Sequence, residues 1–117
     1  MKFLIAFMVG LAPFAVHGQD TAANFPSQPV RFVVPGAAGG GTDVLSRLLS
    51  RKLVDTWPHA LVVENRPGAD GSIASELVAK SSPDGYTLNM ITNAHVITPF
   101  QRKLAYDPVR DFATISE

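Results

Sequence analysis

The apolar positions of this chain fall in short continuous runs, separated by longer stretches in which apolar residues recur with a helical period. The first run, VRFVV at Val30–Val34, stops at Pro35, and later runs occupy residues 61–64 and 86–91. Runs rich in Val, Leu, Ile and Phe are typical of strands that are covered on both faces. We therefore predict three strands, the first of which has Arg31 at its edge.

Two amphipathic helices are predicted between these strands. The first covers residues 42–56, and its apolar face holds Leu45, Leu48, Leu49 and Leu53. Its opposite face, which we expect to be solvated, holds Arg47, Ser50, Arg51 and Asp55. The second helix begins at Gly71-Ser72, and its narrow apolar stripe consists of Ile73, Ala74, Leu77 and Val78. A short third helix, interrupted by Pro99, is expected over residues 96–104.

The order strand, helix, strand, helix, strand predicts an α/β fold with a doubly wound parallel sheet. Right-handed crossovers place the first strand between the other two if the two helices cover opposite faces. The two connections then leave the first strand in opposite directions, so a crevice opens at its carboxyl end. Residues 36–42 and residues 92–95 border this crevice, which makes it the predicted binding site.

The loop between the first strand and the first helix reads GAAGGG and is followed by Thr42 and Asp43. Its four glycines remove side chains, so backbone N–H groups can approach a guest closely. Either Thr42 or Asp43 can cap the helix by accepting a hydrogen bond from its first turn. The remaining N–H groups and the helix dipole together predict a site for a small anion.

Two other interpretations of the glycine loop stay open from the sequence alone. One is a nucleotide site in a Rossmann-like enzyme, although the loop has no P-loop Lys and does not match G-x-G-x-x-G. Glu64, at the end of the second strand, has the position of the acidic residue that binds a ribose in such enzymes. The other interpretation is that the glycines serve the turn alone.

The remaining polar residues form no recognisable catalytic or metal-binding set. His59 and His95 have no fixed ligand spacing, and the chain has no Cys, so no metal is predicted. Ser72 and Thr92 lack the G-x-S-x-G context of a nucleophile. His95 could donate to a bound carboxylate, but an ordinary loop histidine is the preferred interpretation. The sequence therefore predicts a protein that is not an enzyme and has no cofactor.

Charge and the amino-terminal residues narrow the class of protein further. The 117 residues contain 10 Lys+Arg and 10 Asp+Glu, which gives no electrostatic reason to expect a nucleic-acid partner. Residues 1–18 have one Lys, an apolar core and small residues before a cut, the pattern of a secretory signal peptide cleaved after Gly18. A short membrane anchor is the alternative, but Pro13 interrupts the apolar run. Residues 19–117 are then the mature piece.

Three segments, VRFVVPGAAGGGTD, LVVENRPGADGSIASELVAKSSPDGYTL and YDPVRDFATIS, resemble the Bug family of periplasmic solute-binding receptors. The resemblance implies a two-lobed, type II-like binding protein, of which this chain is part of lobe 1, with the second lobe absent. It also implies capture of a small organic anion, usually a carboxylate, and its transfer to the membrane permease of a tripartite tricarboxylate transporter. A fragment of a nucleotide-binding enzyme and a non-functional truncated product are the alternatives.

The resemblance also implies which residues contact the ligand. The carboxylate is expected to be held by backbone amides of the first loop, at Ala38, Gly39, Gly40, Gly41, Thr42 and Asp43. Asn93 and Ala94 would lie opposite this loop. Ala69 and Gly71, in the turn that matches the family's G-A-x-G pattern, would line the same cleft.

Overall fold

The structure is a computed structural model that describes residues 24–116, so the predicted signal peptide at residues 1–18 lies outside it. The strands are β1 (Val30–Val34), β2 (Leu61–Asn65) and β3 (Thr87–Asn89). The helices are α1 (Gly41–Leu53), α2 (Ser72–Ala79) and α3 (Asn93–Gln101). A 3-10 turn (Ala69–Gly71) leads directly into α2.

The three strands form one parallel sheet in the order β2-β1-β3, as predicted. The central strand carries the core, and its residues Val30, Val33 and Val34 have no exposed surface. Ser46 of α1 reaches Met90, whereas Ser75 of α2 reaches Asn89. Neighbouring residues of an extended chain point to opposite faces, so α1 and α2 cover opposite faces of the sheet. The doubly wound α/β prediction is confirmed.

The prediction that α1 packs on the sheet through its leucine face is wrong for three of the four leucines. Leu45, Leu48 and Leu49 are 57%, 52% and 46% exposed, whereas Ser46 is 1% exposed. The Ser46 hydroxyl donates to the Thr42 carbonyl at 2.7 Å and lies 2.9 Å from Met90 Sδ. Because Ser46 is small and its hydroxyl group is hydrogen-bonded, the helix can approach the sheet closely.

Ser50, which we expected on the solvated face of α1, is also half-buried against the sheet. Its hydroxyl donates to the carbonyl of Leu61, at the start of β2, over 2.6 Å. Helix α2 also packs on the sheet through small residues, because Ala74 and Ser75 are buried whereas Ile73 is 49% exposed. Hydrophobic periodicity therefore identified both helices, but it did not identify which of their residues meet the sheet.

Several helix boundaries also differ from the predictions. Helix α1 ends at Leu53 rather than Thr56, because the N–H groups of Thr56 and Trp57 both fold back onto the Leu53 carbonyl. Helix α3 begins at Asn93, so the predicted loop 92–95 is largely the first turn of this helix. Pro99 lies inside α3 without ending it.

The outer surfaces of α1 and α3 carry exposed apolar side chains. Besides the α1 leucines, Phe100 is 88% exposed and Val96 is 64% exposed on α3. These surfaces are short, and none of the helices within residues 24–116 has the length and hydropathy needed to cross a membrane.

Replacement of Ser46 by Leu is expected to lower the free energy of unfolding by about 1–3 kcal/mol, because added atoms at a filled position force neighbouring groups to move. Arg51→Leu adds the same side chain to an exposed position of α1 and should change stability by less than about 0.5 kcal/mol. Urea titration of both variants measures the difference. Equal stability of the two would contradict the packing of α1 on its serines.

Candidate functional site

A cleft of about 410 Å³ opens at the carboxyl ends of the strands, where the sequence predicted a crevice. It lies between the loop after β1, the turn before α2 and the segment that connects β3 to α3. The residues that line it are Pro35, Gly36, Thr42, Gly68, Ala69, Asp70, Gly71, Thr92 and Ala94. The lining is made mostly of small residues, so much of its surface is backbone.

All three helices begin at this cleft. Gly40 precedes α1, Gly71 precedes α2 and Thr92 precedes α3, and none of these N-cap residues makes a side-chain capping bond. The first N–H groups of a helix have no partner inside the helix, and they carry the positive end of its dipole. The Ser72 N–H of α2 already bonds to the Ala69 carbonyl, so the other first-turn N–H groups and the three helix dipoles make the cleft favourable for an anion.

Asp43 does not cap α1 in the way the sequence suggested, because it lies inside the helix. Its side chain is almost fully buried, and Oδ2 accepts a 2.8 Å hydrogen bond from the Gly39 N–H of the preceding loop. Arg47 Nε lies 3.0 Å from both carboxylate oxygens. The carboxylate is thus engaged in shaping the loop, and the Arg47 charge balances it.

Asn65 fixes the other end of the glycine loop. Its side-chain amide donates to the Gly36 carbonyl at 3.0 Å, and its oxygen accepts from Arg47 at 3.3 Å. A Cβ atom on Gly36 would lie 2.0 Å from the Thr42 hydroxyl oxygen, so the loop packs closely against the start of α1. The sequence reasoning missed Asn65, although its place at the carboxyl end of β2 was a signal.

The turn before α2 has an unusual backbone. Gly68, Ala69, Asp70 and Gly71 have φ values of 118°, 46°, 53° and 83°. The left-handed region costs a residue with a Cβ atom roughly 1 kcal/mol, so Ala69 and Asp70 need outside support. Arg102, at the end of α3, supplies it: the guanidinium donates to the Ala69 carbonyl and to the Ser72 hydroxyl, and it lies 3.9 Å from the Asp70 carboxylate.

The structure brings some of the predicted site residues together at the cleft. Four of them line it, namely Thr42, Ala69, Gly71 and Ala94. The other predicted residues, Ala38, Gly39, Gly40, Gly41, Asp43 and Asn93, are adjacent in sequence to lining residues or build the loop. The lining residues outside the predicted set are Pro35, Gly36, Gly68, Asp70 and Thr92. Direct contact of any of these residues with a ligand remains a prediction.

The structure also constrains the alternative chemistries. Glu64, the candidate ribose-binding residue, is held by Arg31 and Arg66, and these two guanidinium groups lower the pKa of its carboxyl. Ser75 lies 3.1 Å from His95 Nδ1, but both residues are buried. The crevice that they border encloses about 0 Å³, so it has no room for a substrate. Within residues 24–116, no cluster of His, Cys, Asp and Glu could hold a metal ion.

Comparison with known proteins identifies the family. The protein-family model described as "Tripartite tricarboxylate transporter family receptor" matches residues 45–117 of this chain. The chain therefore belongs to the family of tripartite tricarboxylate transporter receptors, and the resemblance to Bug proteins is confirmed. It is 38% identical to protein BugT of Bordetella pertussis over 87 residues, which is 74% of this chain and 27% of BugT.

Two solved structures of relatives contain carboxylates. MatC from Rhodopseudomonas palustris, with bound malate, has a TM-score of 0.68 and 39% identity, over 75% of this chain and 31% of MatC. A second R. palustris protein, solved with adipate, has a TM-score of 0.64 and 35% identity, over 72% of this chain and 29% of that protein. The chain spans 29–31% of the length of three curated relatives that it matches.

The Asp43 carboxylate gives the protein a predictable pH dependence. The Arg47 guanidinium and then the Gly39 N–H lower its pKa from 3.8 to about 2. The unfolded chain keeps the ordinary value, so the ionised carboxylate stabilises the fold above pH about 4, and this is lost as the pH falls from about 4 to about 2.

Asp43→Asn should therefore flatten the loss of stability between about pH 4 and pH 2, because its side chain does not titrate. Urea unfolding at several pH values across this interval measures the slope. Asp55→Asn, just beyond the end of α1, is the control and should keep the parent slope. A parent-like slope in Asp43→Asn would show that the Asp43 interactions do not stabilise the fold.

Proposed function

We propose that this protein is a periplasmic receptor that captures a small carboxylate-type organic anion at the cleft between β1, α2 and α3. Under this proposal it is not an enzyme, and it passes its ligand to the membrane permease of a tripartite tricarboxylate-type transporter. The signal peptide at residues 1–18, cleaved after Gly18, accounts for export to the periplasm. The malate and adipate bound to relatives support a carboxylate ligand.

The convergence of three helix starts without side-chain caps on one cleft carries the proposal. The residues that line the cleft include no Lys or Arg. A bound carboxylate would therefore be held by backbone N–H groups and helix dipoles, together with the hydroxyl groups of Thr42 and Thr92. Such a site favours the compact charge of a carboxylate and tolerates variation in the remainder of the ligand.

Asp70 is the one acidic side chain in the lining, and its position fits this chemistry. Its carboxylate is 70% exposed and faces the Arg102 guanidinium, which offsets its charge. Asp70 lies in the turn that lines the cleft, and Arg102 binds this turn from the end of α3. A ligand with a hydroxyl group, such as malate, would have a polar partner at this edge in addition to the amides that hold its carboxylate.

Calorimetric titration of the complete receptor, with both lobes, against malate, adipate, NAD and ATP tests the function. We expect saturable binding of at least one dicarboxylate and no binding of either nucleotide. Thermal unfolding in the presence of each compound gives a second measurement, because a ligand that binds only the folded protein raises its stability. Stabilisation by a nucleotide without any response to carboxylates would refute the receptor and favour the enzyme alternative.

Two glycines with nearly equal φ values, one inside and one outside the glycine loop, provide a matched pair of variants. Gly39 and Gly85 have φ values of 83° and 82°, and neither has a neighbouring atom that would clash with an added Cβ atom. Alanine at either position should cost roughly 1 kcal/mol of stability, because both require the left-handed region. Gly39 lies in the loop before α1, whereas Gly85 lies in the turn before β3, at the opposite end of the sheet.

Gly39→Ala should weaken dicarboxylate binding by about tenfold or more, because a shift of the loop displaces the amides at the start of α1. Gly85→Ala should keep the parent affinity. Calorimetry with malate or adipate, whichever the parent protein binds, makes the comparison. Equal affinities of the two variants would place the binding site away from the glycine loop.

A further inference from the structure

The buried side chain of His95 has no role in the function proposed above, yet it joins three separate parts of the chain. Its Nδ1 atom lies 3.1 Å from the Ser75 hydroxyl of α2, and its Nε2 atom lies 3.0 Å from the Pro108 carbonyl oxygen. The ring stacks on Tyr106 with 5.9 Å between ring centroids and makes a T-shaped contact with Phe112 at 5.1 Å. Only 8% of the residue is exposed.

The Pro108 contact fixes which nitrogen carries the proton in the neutral ring. A carbonyl oxygen only accepts hydrogen bonds, so Nε2 must carry the proton that binds Pro108. In the neutral ring Nδ1 is then an acceptor, and it receives the proton of the Ser75 hydroxyl. Asn89, at the end of β3, donates to the same hydroxyl oxygen at 3.0 Å. The result is a directed chain of hydrogen bonds from β3 through α2 to α3 and on to the segment beyond it.

These hydrogen bonds end at the turn formed by residues 107–111, which is closed by its own side chains. Asp107 Oδ1 accepts from the N–H groups of Val109 and Arg110 at 2.9 Å, and Asp111 accepts from the Asp107 N–H at 2.7 Å. The Arg110 and then the Val109 N–H bonds lower the pKa of Asp107, so it stays ionised. The turn can therefore hold the Pro108 carbonyl in place against the histidine ring.

The position of His95 relates this network to the cleft. Thr92 and Ala94, at the start of the same helix as His95, line one wall, and the His95 N–H bonds to the Thr92 carbonyl at 2.9 Å. Ser75 belongs to the first turn of α2, whose N-cap Gly71 lines the facing wall. The bond between Ser75 and His95 thus joins the two walls behind the lining residues, where it can set the distance between them.

We propose that His95 is a positioning residue, which holds the wall formed by Thr92 and Ala94 in its binding geometry through Ser75 on one side and Pro108 on the other. This inference rests on the proposed function, because it assigns the network to the same carboxylate site. His95 does not touch the ligand. Its effect passes through the backbone of α3, because Thr92 and Ala94 at the start of this helix line the cleft.

Ser75→Ala and His95→Phe test the proposal, with Ser81→Ala as the matched control. Ser75→Ala removes the hydroxyl that joins the walls and keeps a residue that favours helix. His95→Phe keeps an aromatic ring but loses both nitrogen contacts. Ser81 donates to the Leu77 carbonyl and stands just beyond the far end of α2, so its loss leaves the cleft unchanged. Affinity for malate or adipate is measured by calorimetry, and the exchange of backbone amides at residues 92–94 is followed without ligand.

Ser75→Ala and His95→Phe should each weaken dicarboxylate binding by about tenfold and accelerate amide exchange at residues 92–94, whereas Ser81→Ala should match the parent protein. The double variant should bind no more weakly than His95→Phe, because both substitutions break one link. Parent-like affinity in Ser75→Ala would overturn the proposal, whatever happens to exchange. If His95→Phe does not fold, Ser75→Ala alone decides.

The same experiment separates this proposal from the function on which it rests. If the parent protein binds no carboxylate, the receptor function fails, and the exchange measurement still decides whether His95 orders residues 92–94. Unchanged exchange in Ser75→Ala would then refute the positioning role as well. Binding in the parent protein with unchanged affinity in both variants would refute only the positioning role.

Discussion

The parallel arrangement of the three strands is the constraint on which the rest of the structure depends. In a parallel sheet every strand ends at the same edge, so each helix that follows a strand begins at that edge. The positive ends of α1, α2 and α3 therefore meet around one opening. The loops around this opening, GAAGGG and GADG, consist mostly of small residues, which keep the opening accessible to a ligand.

Most polar side chains near the cleft act on the protein itself. Asp43 and Asn65 bind the two ends of the glycine loop, and Arg102 supports the left-handed turn before α2. Asn65 and Arg102 thereby connect elements that are distant in sequence. The arrangement separates two tasks, because backbone amides are available to the ligand while side chains determine where those amides point.

The sequence predicted the parts of the fold that depend on local pattern and topology. The VRFVV run, the order of elements and the glycine loop were enough to predict β1 at the centre and the crevice at its end. The face of α1 was not predictable in this way, because a leucine stripe outweighs two serines in any hydrophobic pattern. Ser46 is buried and Ser50 is half-buried, because backbone carbonyls and Met90 satisfy their hydroxyl groups, and only the three-dimensional arrangement reveals those partners.

The location of the cleft was predictable from the topology, whereas its lining was predictable only in part. Thr42, Ala69, Gly71 and Ala94 line the cleft, and their contact with a ligand stays a prediction. Asp43 looked like a helix cap because it follows the glycines, but the helix begins two residues earlier. His95 appeared to be an ordinary loop residue, since the chain gives no sign that Ser75 and Pro108, 20 and 13 residues away, would meet its ring.

The left-handed turn at Ala69 and Asp70 has a consequence for how this protein can vary. Glycine would relieve the unfavourable backbone angles at either residue, but it would also enlarge the set of shapes that the free chain can adopt. A turn built from alanine and aspartate, held by a guanidinium from another helix, instead keeps a single shape at some energetic expense. Natural variation here should consequently be coupled, with relaxed glycine-rich turns accompanying the loss of the basic residue at position 102.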